Sequence, residues 1–251
     1  MGSTKGGKGG KGGKGDVDQR GADDDIRIVM ARLAADFAMP TDISTILEHV
    51  TTTAVELIEG VDFADVLLVD VDGYRSMAAT DALAVELDSA QLTYDEGPCL
   101  TAAVDDATVL CPDLASDERW PRFAAAALES GVRSMMSFQL YSHPTHRPDV
   151  SGRGALNLYS RTYRDFGVED RALGAMLATH AATALIAADR VTQFQSALAS
   201  RDLIGQAKGV LMERFSLNPV GAFTLLTKLS QESNTKVRDI AERIVDTAGG
   251  D

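Results

Sequence analysis

The segment RDLIGQAKGVLMERFSLNPVGAFTLLTKLSQESNTKVRDIAERIVD, Arg201 to Asp246, decides the fold. It carries three helical patterns in succession. The first continues a helical run that begins near Glu169 and shows no stop before Phe215, longer than a typical globular helix. Asn218-Pro219 then sets an N-cap residue before proline at the first helical position, and the helix it opens is expected to turn Phe223, Leu226 and Leu229 inward. Ser233 or Asn234 caps a third helix, with Val237, Ile240, Ala241 and Ile244 as its inward stripe and Gly249-Gly250 as its stop. Three helices of this size bury little surface, so the bundle is expected to lean on the long helix and a partner chain. Its two aromatic residues, Phe215 and Phe223, read as core, which leaves no platform for base stacking.

Upstream the pattern is mixed. Asp23 to Ala38 has the three-and-four spacing of an amphipathic helix behind an acidic start. After Pro40, Thr41 or Asp42 can cap a second helix that runs through Ile43, Ile46, Leu47, Val50, Ala54, Leu57 and Ile58 to Gly60. The period then shortens. Phe63 to Val71 and Tyr74 to Thr80 read as strands about an Asp72-Gly73 turn. Gly97-Pro98 opens a short helix to Val104, and Thr108 to Leu110, Met135 to Tyr141 and Gly154 to Ser160 are further strands, with a helix from Trp120 to Ser130 ended by Gly131. SHPTHRPDVSGRG, from Ser142, is a long exposed loop.

The 251-residue chain is 45% hydrophobic and 24% charged, an ordinary globular balance with room for two domains. A net charge of -13 argues against general attraction to phosphate, but its distribution is uneven. Gln195 to Asp251 holds seven Lys/Arg and seven Asp/Glu, whereas Asp16 to Phe194 holds thirteen against thirty. The acidity belongs to the first domain. Cys99 and Cys111 are too few for a disulfide framework or a zinc site, and no run approaches the ~20 apolar residues that span a bilayer, so a reducing cytoplasm is expected and a membrane is not. Residues 1–15, ending in GGKGGKGGKG, read as an engineered lysine tag or a native flexible arm.

Within the long helix Leu177, Ala184, Val191 and Leu198 recur every seven residues, with Ala187 and Phe194 at the complementary positions. That spacing predicts a parallel dimer seam.

The string IGQAKGVLMER, followed by Ala222, Phe223, Leu226, Ser230 and VRDIAERIV, resembles ANTAR domains, the RNA-binding modules of bacterial antiterminators. DEGPCLTAA at Asp95 to Ala103, PDLASDERWPRFAAAALESGVRSMMSFQL at Pro112 to Leu140 and GALNLYSRTYRDF at Gly154 to Phe166 resemble the GAF domains that accompany ANTAR modules in actinobacteria. The resemblance implies an α+β fold: a GAF-type antiparallel sheet flanked by helices over 22–192, including a long linking helix, then a three-helix ANTAR bundle over 193–248. It also implies a homodimer that binds paired stem-loops in nascent RNA and prevents a terminator from forming. With no receiver domain to phosphorylate, activation falls to the GAF unit or to abundance.

Arg201 and Lys208 lie seven apart and share a helix face, as do Lys236 and Arg243. With Arg214 and Arg238 they are the candidate RNA-phosphate contacts, and Gln206, Asn234 and Thr235 the candidate contacts to unpaired loop bases. Solvated amphipathic faces would carry the same spacing. Gly205 and Gly209 each cost about 1 kcal/mol of helix stability, which calls for close approach by a neighbouring helix or an RNA backbone. Cys99, near a helix N-terminus, is a candidate thiol sensor if the dipole lowers its pKa, and an inert buried cysteine otherwise. His143, His146 and Asp149 read as a solvated loop rather than a metal site. No cofactor is expected. The GAF domain holds either a small molecule whose identity these residues do not give or an empty cavity; the residue pattern of cyclic-nucleotide-binding GAF domains is missing. The competing reading is a GAF-fold ligand-binding protein, or an enzyme like methionine sulfoxide reductase, with a helical dimerisation tail. Beyond two cysteines the chain offers no set of nucleophile, base and orienting group, so no enzyme is expected.

Overall fold

The computed structural model describes residues 31, 42–70, 73–104, 107–140 and 153–248. The helix expected over Asp23 to Ala38 apart from Ala31, the Gly/Lys-rich start, the turn residue Asp72, the loop with His143, His146 and Asp149, and the Gly249-Gly250 stop lie outside the described residues. The chain divides into two compact units, Met1–Ile186 and Ala187–Asp251.

The first unit is a five-stranded antiparallel sheet covered on both faces. Helix α1 (Ile43–Leu57) precedes β1 (Phe63–Asp70), which pairs antiparallel with β2 (Gly73–Met77). Strand β2 is shorter than its sequence suggests, because Ala78 takes a positive φ of 52° and turns the chain out of the sheet. Helices α2 (Ala82–Tyr94) and α3 (Pro98–Val104) follow, then β3 (Thr108–Cys111), α4 (Pro121–Glu129), β4 (Ser134–Leu140) and β5 (Arg153–Ser160). The strand order is β2-β1-β5-β4-β3.

Alternation along the strands assigns the two faces. Ala64, Val66, Met136, Phe138, Leu140, Leu156 and Leu158 pack with Leu47, Val50 and Ala54 of α1 and with Leu177, Ala178, Ala181 and Ala182 of helix α5 (Val168–Phe215). A Cβ on Gly174 would fall 2.3 Å from the Phe138 ring, so that glycine lets α5 lie close to the sheet. On the other face Phe63, Leu67, Val109, Met135, Ala155 and Tyr159 pack with Ala84 and Leu87 of α2, Cys99 and Ala102 of α3, and Phe123, Ala124 and Ala127 of α4.

Helix α2 is an element the hydrophobic pattern does not reveal. Its buried residues Ala84, Leu87, Asp88 and Gln91 keep the helical spacing, but two of the four are polar. The Asp81 carboxylate accepts from the Leu83 N–H at 2.9 Å to cap its start, and Asp95 ends it in a left-handed conformation, φ 54°.

The second unit is helical. Ala207 and Leu211 of α5, Ala222 and Leu226 of α6 (Pro219–Ser233) and Ile240 and Ala241 of α7 (Val237–Ala248) form its core. Asn218 caps α6 as expected, accepting from the Gly221 N–H at 2.8 Å ahead of Pro219. The inward stripe of α6 is Ala222, Leu225 and Leu226, with Phe223 48% and Leu229 36% exposed. Phe215 is exposed as well. Neither aromatic residue is core: Ala207 and Leu211 of α5 and Ala222 and Leu226 of α6 take the buried positions.

By length and composition alone α5 also holds an eighteen-residue window apolar enough to cross a membrane, mean hydropathy 1.3. This corrects the expectation that no stretch comes near that limit. The helix's early residues Leu177, Ala178, Ala181, Ala182 and Ala184 are buried inside the first unit, which accounts for part of their apolar character.

Candidate functional site

In the first unit the pairing of β1, β5 and β4 sets Asp65 opposite Asn157 and Asn157 opposite Ser137. The three side chains make one polar rung across a mainly apolar sheet face, the one that carries α2, α3 and α4. Ser137 donates to Asn157 Oδ1 at 2.9 Å, which leaves Asn157 Nδ2 facing Asp88 Oδ1 at 3.5 Å. From β2, Ser76 donates to Asp65 Oδ2 at 3.0 Å. The Tyr159 hydroxyl stands 3.4 Å from Asp65 Oδ1 and 3.5 Å from Asp88 Oδ1, with one proton to give to either, and its ring stacks on Phe63 at 4.6 Å. Asp65, Asp88, Gln91, Ser137, Asn157 and Tyr159 are all buried.

Burial pushes the Asp65 carboxyl well above the ordinary carboxylate range, and the neighbouring Asp88 pushes it further. Burial raises Asp88 too, against hydrogen bonds that hold it down. The pair therefore keeps a proton more readily than an exposed carboxylate. Gln91 joins from α2, its Oε1 accepting from the Cys99 N–H at 2.9 Å. Gly97 makes room for it: φ is +143°, and a Cβ there would lie 2.2 Å from that oxygen. FADVLLVD, SMMSFQL and GALNLYS each set a polar residue in phase with inward apolar ones, but only strand register brings the three together.

The second unit shows a different chemistry. Arg201, Gln206, Arg214, Lys236, Arg238 and Arg243 are exposed and Lys208 is half-buried. Nothing lies within 4 Å of a Cβ built on Gly205 or Gly209, so no described residue explains the two bare positions. Asn234 closes α6 rather than opening α7: it sits at the C-cap with φ 49° and its N–H bonds the Gln231 carbonyl. Thr235 is tied into the same turn, its hydroxyl donating to Ser233 O at 3.1 Å and its carbonyl accepting from Ser230 Oγ. Lys236 precedes α7, its carbonyl accepting from Asp239 and Ile240.

A family model described as a GAF domain matches residues 40–186, more than half of the chain, and one described as an ANTAR domain matches residues 192–245. This is a GAF and ANTAR domain protein. Such an architecture joins a sensory type of domain to an RNA-binding type, as in a regulator. Among solved structures, the GAF domain of a phosphoenolpyruvate-protein phosphotransferase from Coxiella burnetii is 16% identical, with 68% of this chain and 98% of that one covered and a TM-score of 0.51. The corresponding Acinetobacter GAF domain is 13% identical, covering 65% and 93%, TM-score 0.49. A free methionine-R-sulfoxide reductase from Neisseria meningitidis, solved with its substrate, is 19% identical, covering 66% and 90%, TM-score 0.46. At these identities the likeness is one of fold. No curated protein matches the chain.

In the GAF domain Cys99 is fully buried, and burial with the charges of Asp88 and Asp65 pushes its thiol up. This runs opposite to the thiolate a sensor needs, so the structure corrects the thiol-sensor reading. Cys111 is likewise pushed up to about 12, first by burial and then by Asp117. The heptad of α5 divides. Leu177 and Ala184 are buried within the GAF unit, whereas Val191, Phe194 and Leu198 are 56%, 66% and 45% exposed. Spacings of three, four and seven put Gly205 and Lys208 on the side of α5 that Val191, Phe194, Leu198 and Arg201 occupy, with Gly209 beside them.

Proposed function

We propose that this protein is a cytoplasmic RNA-binding regulator of transcription termination. Its ANTAR domain binds paired stem-loops in nascent RNA as a homodimer, and its GAF domain modulates that binding in response to a small molecule. The observation that carries the reading is the ANTAR match over residues 192–245, on a unit whose basic side chains reach solvent while the rest of the chain is strongly acidic. Arg201, Lys208, Arg214, Lys236, Arg238 and Arg243 supply phosphate contacts, which position RNA without reading sequence. Gln206, with Asn234 and Thr235 at the α6–α7 turn, stands for the loop-base contacts. Two copies joined through Val191, Phe194 and Leu198 present two such units, one to each stem-loop. The bare surface of Gly205 and Gly209 admits the close approach that their cost in helix stability calls for.

The test is a binding titration of the full chain with an RNA of two adjacent stem-loops against the same RNA with both loop sequences scrambled. The reading expects a preference of at least about tenfold for the intact loops, roughly 1.4 kcal/mol. Equal affinities would overturn it.

A further inference from the structure

The polar rung poses a problem of charge that no described residue resolves. Asp65 and Asp88 are withdrawn from water, and no Lys, Arg or His is among the groups acting on either. Buried carboxyls without a counter-cation must take up positive charge, as a proton or as a bound cation. Two atoms distinguish these. Asp88 Oδ2 and Gln91 Nε2 are inaccessible and have no hydrogen-bond partner among the described residues, an acceptor and a donor on residues 1% and 0% exposed. They lie one turn apart on α2 and so share its inner face. Gln91 is fixed through Cys99, whose thiol feels the charge of both carboxyls, so the amide borders the cluster. A shared proton offsets the charge of the pair but leaves Gln91 Nε2 unsatisfied, which costs about 1–3 kcal/mol. The approaches of Tyr159 and Asn157 to the carboxyls, at 3.4 and 3.5 Å, are long for hydrogen bonds.

We propose that this cluster is the recognition end of a ligand site in the GAF domain, and that it takes a small molecule with a protonated primary amine beside a hydrogen-bond acceptor. The ammonium lies on Asp65 and Asp88, and the acceptor takes the N–H of Gln91. This rests on reading the GAF unit as a sensory domain. An ammonium carries three donors, enough for Asp88 Oδ2 and its neighbours at once, and its arrival releases the proton held by the pair to solvent. A metal ion fits less well, since among the described residues no three His, Cys, Asp or Glu side chains converge to hold one.

Thermal unfolding of the full chain near neutral pH tests the proposal. Methylammonium chloride and glycinamide hydrochloride are compared with tetramethylammonium chloride at equal ionic strength. The primary amines should raise the GAF transition by about 3 °C at roughly ten times Kd, with a proton released, while tetramethylammonium, which has no N–H, should not. Glycinamide should act at lower concentration because it alone offers an acceptor. Asp88→Asn should abolish both shifts, and Gln91→Leu should remove only glycinamide's advantage. The proposal fails if primary amines do no more than tetramethylammonium, or if Asp88→Asn responds as wild type does. Should Asp88→Asn not fold, Gln91→Leu decides, and an undiminished glycinamide advantage overturns the proposal. RNA affinity is measured separately, so failure here with stem-loop binding intact overturns the ligand class alone.

Discussion

Asp65 is a carboxyl held out of water beside a second carboxyl, the reverse of what its chemistry prefers. Its folded pKa is raised, so the stability contributed by its bound proton is complete below the ordinary carboxylate range and is lost as pH rises toward the folded value. Asp88, Tyr159 and Cys99 are the titratable groups around it, and all three add or can add negative charge. Asn at position 65 keeps one donor and one acceptor but does not titrate. Asp65→Asn should therefore match wild type in acid and exceed it above neutrality by roughly 1 kcal/mol, about 3 °C in Tm, with the gap widening as pH rises. Melting curves across pH check this, and a constant or shrinking gap would show that the pair holds no proton. Asn234 makes a second case. Its left-handed backbone suits glycine and tolerates asparagine, so Asn234→Ala should cost about 1 kcal/mol while Asn234→Gly should not. If the side chain also reads a loop base, both variants should lose loop discrimination, and only glycine should do so at undiminished stability.

At the scale of elements, legibility followed how far each element's buried face is apolar. The strands, α1, α4, the long α5 and the Asn218-Pro219 start of α6 announced themselves through period, caps and turns. Helix α2 did not, because Asp88 and Gln91 hold two of its four buried positions; the residues that make the candidate site hid the helix that carries it. The basic residues of the ANTAR unit were legible as a composition and a spacing, but the polar rung needed strand register, which no local pattern encodes. Register also showed how α5 is used. Its Leu177 and Ala184 are taken up by packing within the GAF unit, so the proposed dimer would rest on Val191, Phe194 and Leu198, which are exposed. Val191→Asp should weaken the dimer at least about tenfold by light scattering or sedimentation, with the GAF transition unchanged. An unchanged dimer would place the interface elsewhere.

Across the whole molecule, charge separates the two tasks. Asp16 to Phe194 carries thirteen basic against thirty acidic side chains, a surface that repels RNA, whereas Gln195 to Asp251 is balanced at seven and seven. RNA binding must then depend on where a few cations stand rather than on bulk attraction, and Arg201 and Lys208 stand on the side of α5 that also carries the exposed apolar residues. Two effects can follow from changing them, lost phosphate contacts and a disturbed dimer, and a mass measurement on the same sample separates these. The most direct test is a salt titration of tandem stem-loop binding by wild type and by the Arg201→Ala/Lys208→Ala variant. Wild type should bind with log affinity falling linearly against log salt. The variant, still folded and still dimeric, should bind more weakly with a slope shallower by about 1.5 units, the loss of two counterion-releasing contacts. A variant that kept both the affinity and the slope of wild type would contradict the assignment of this face of the ANTAR domain to RNA.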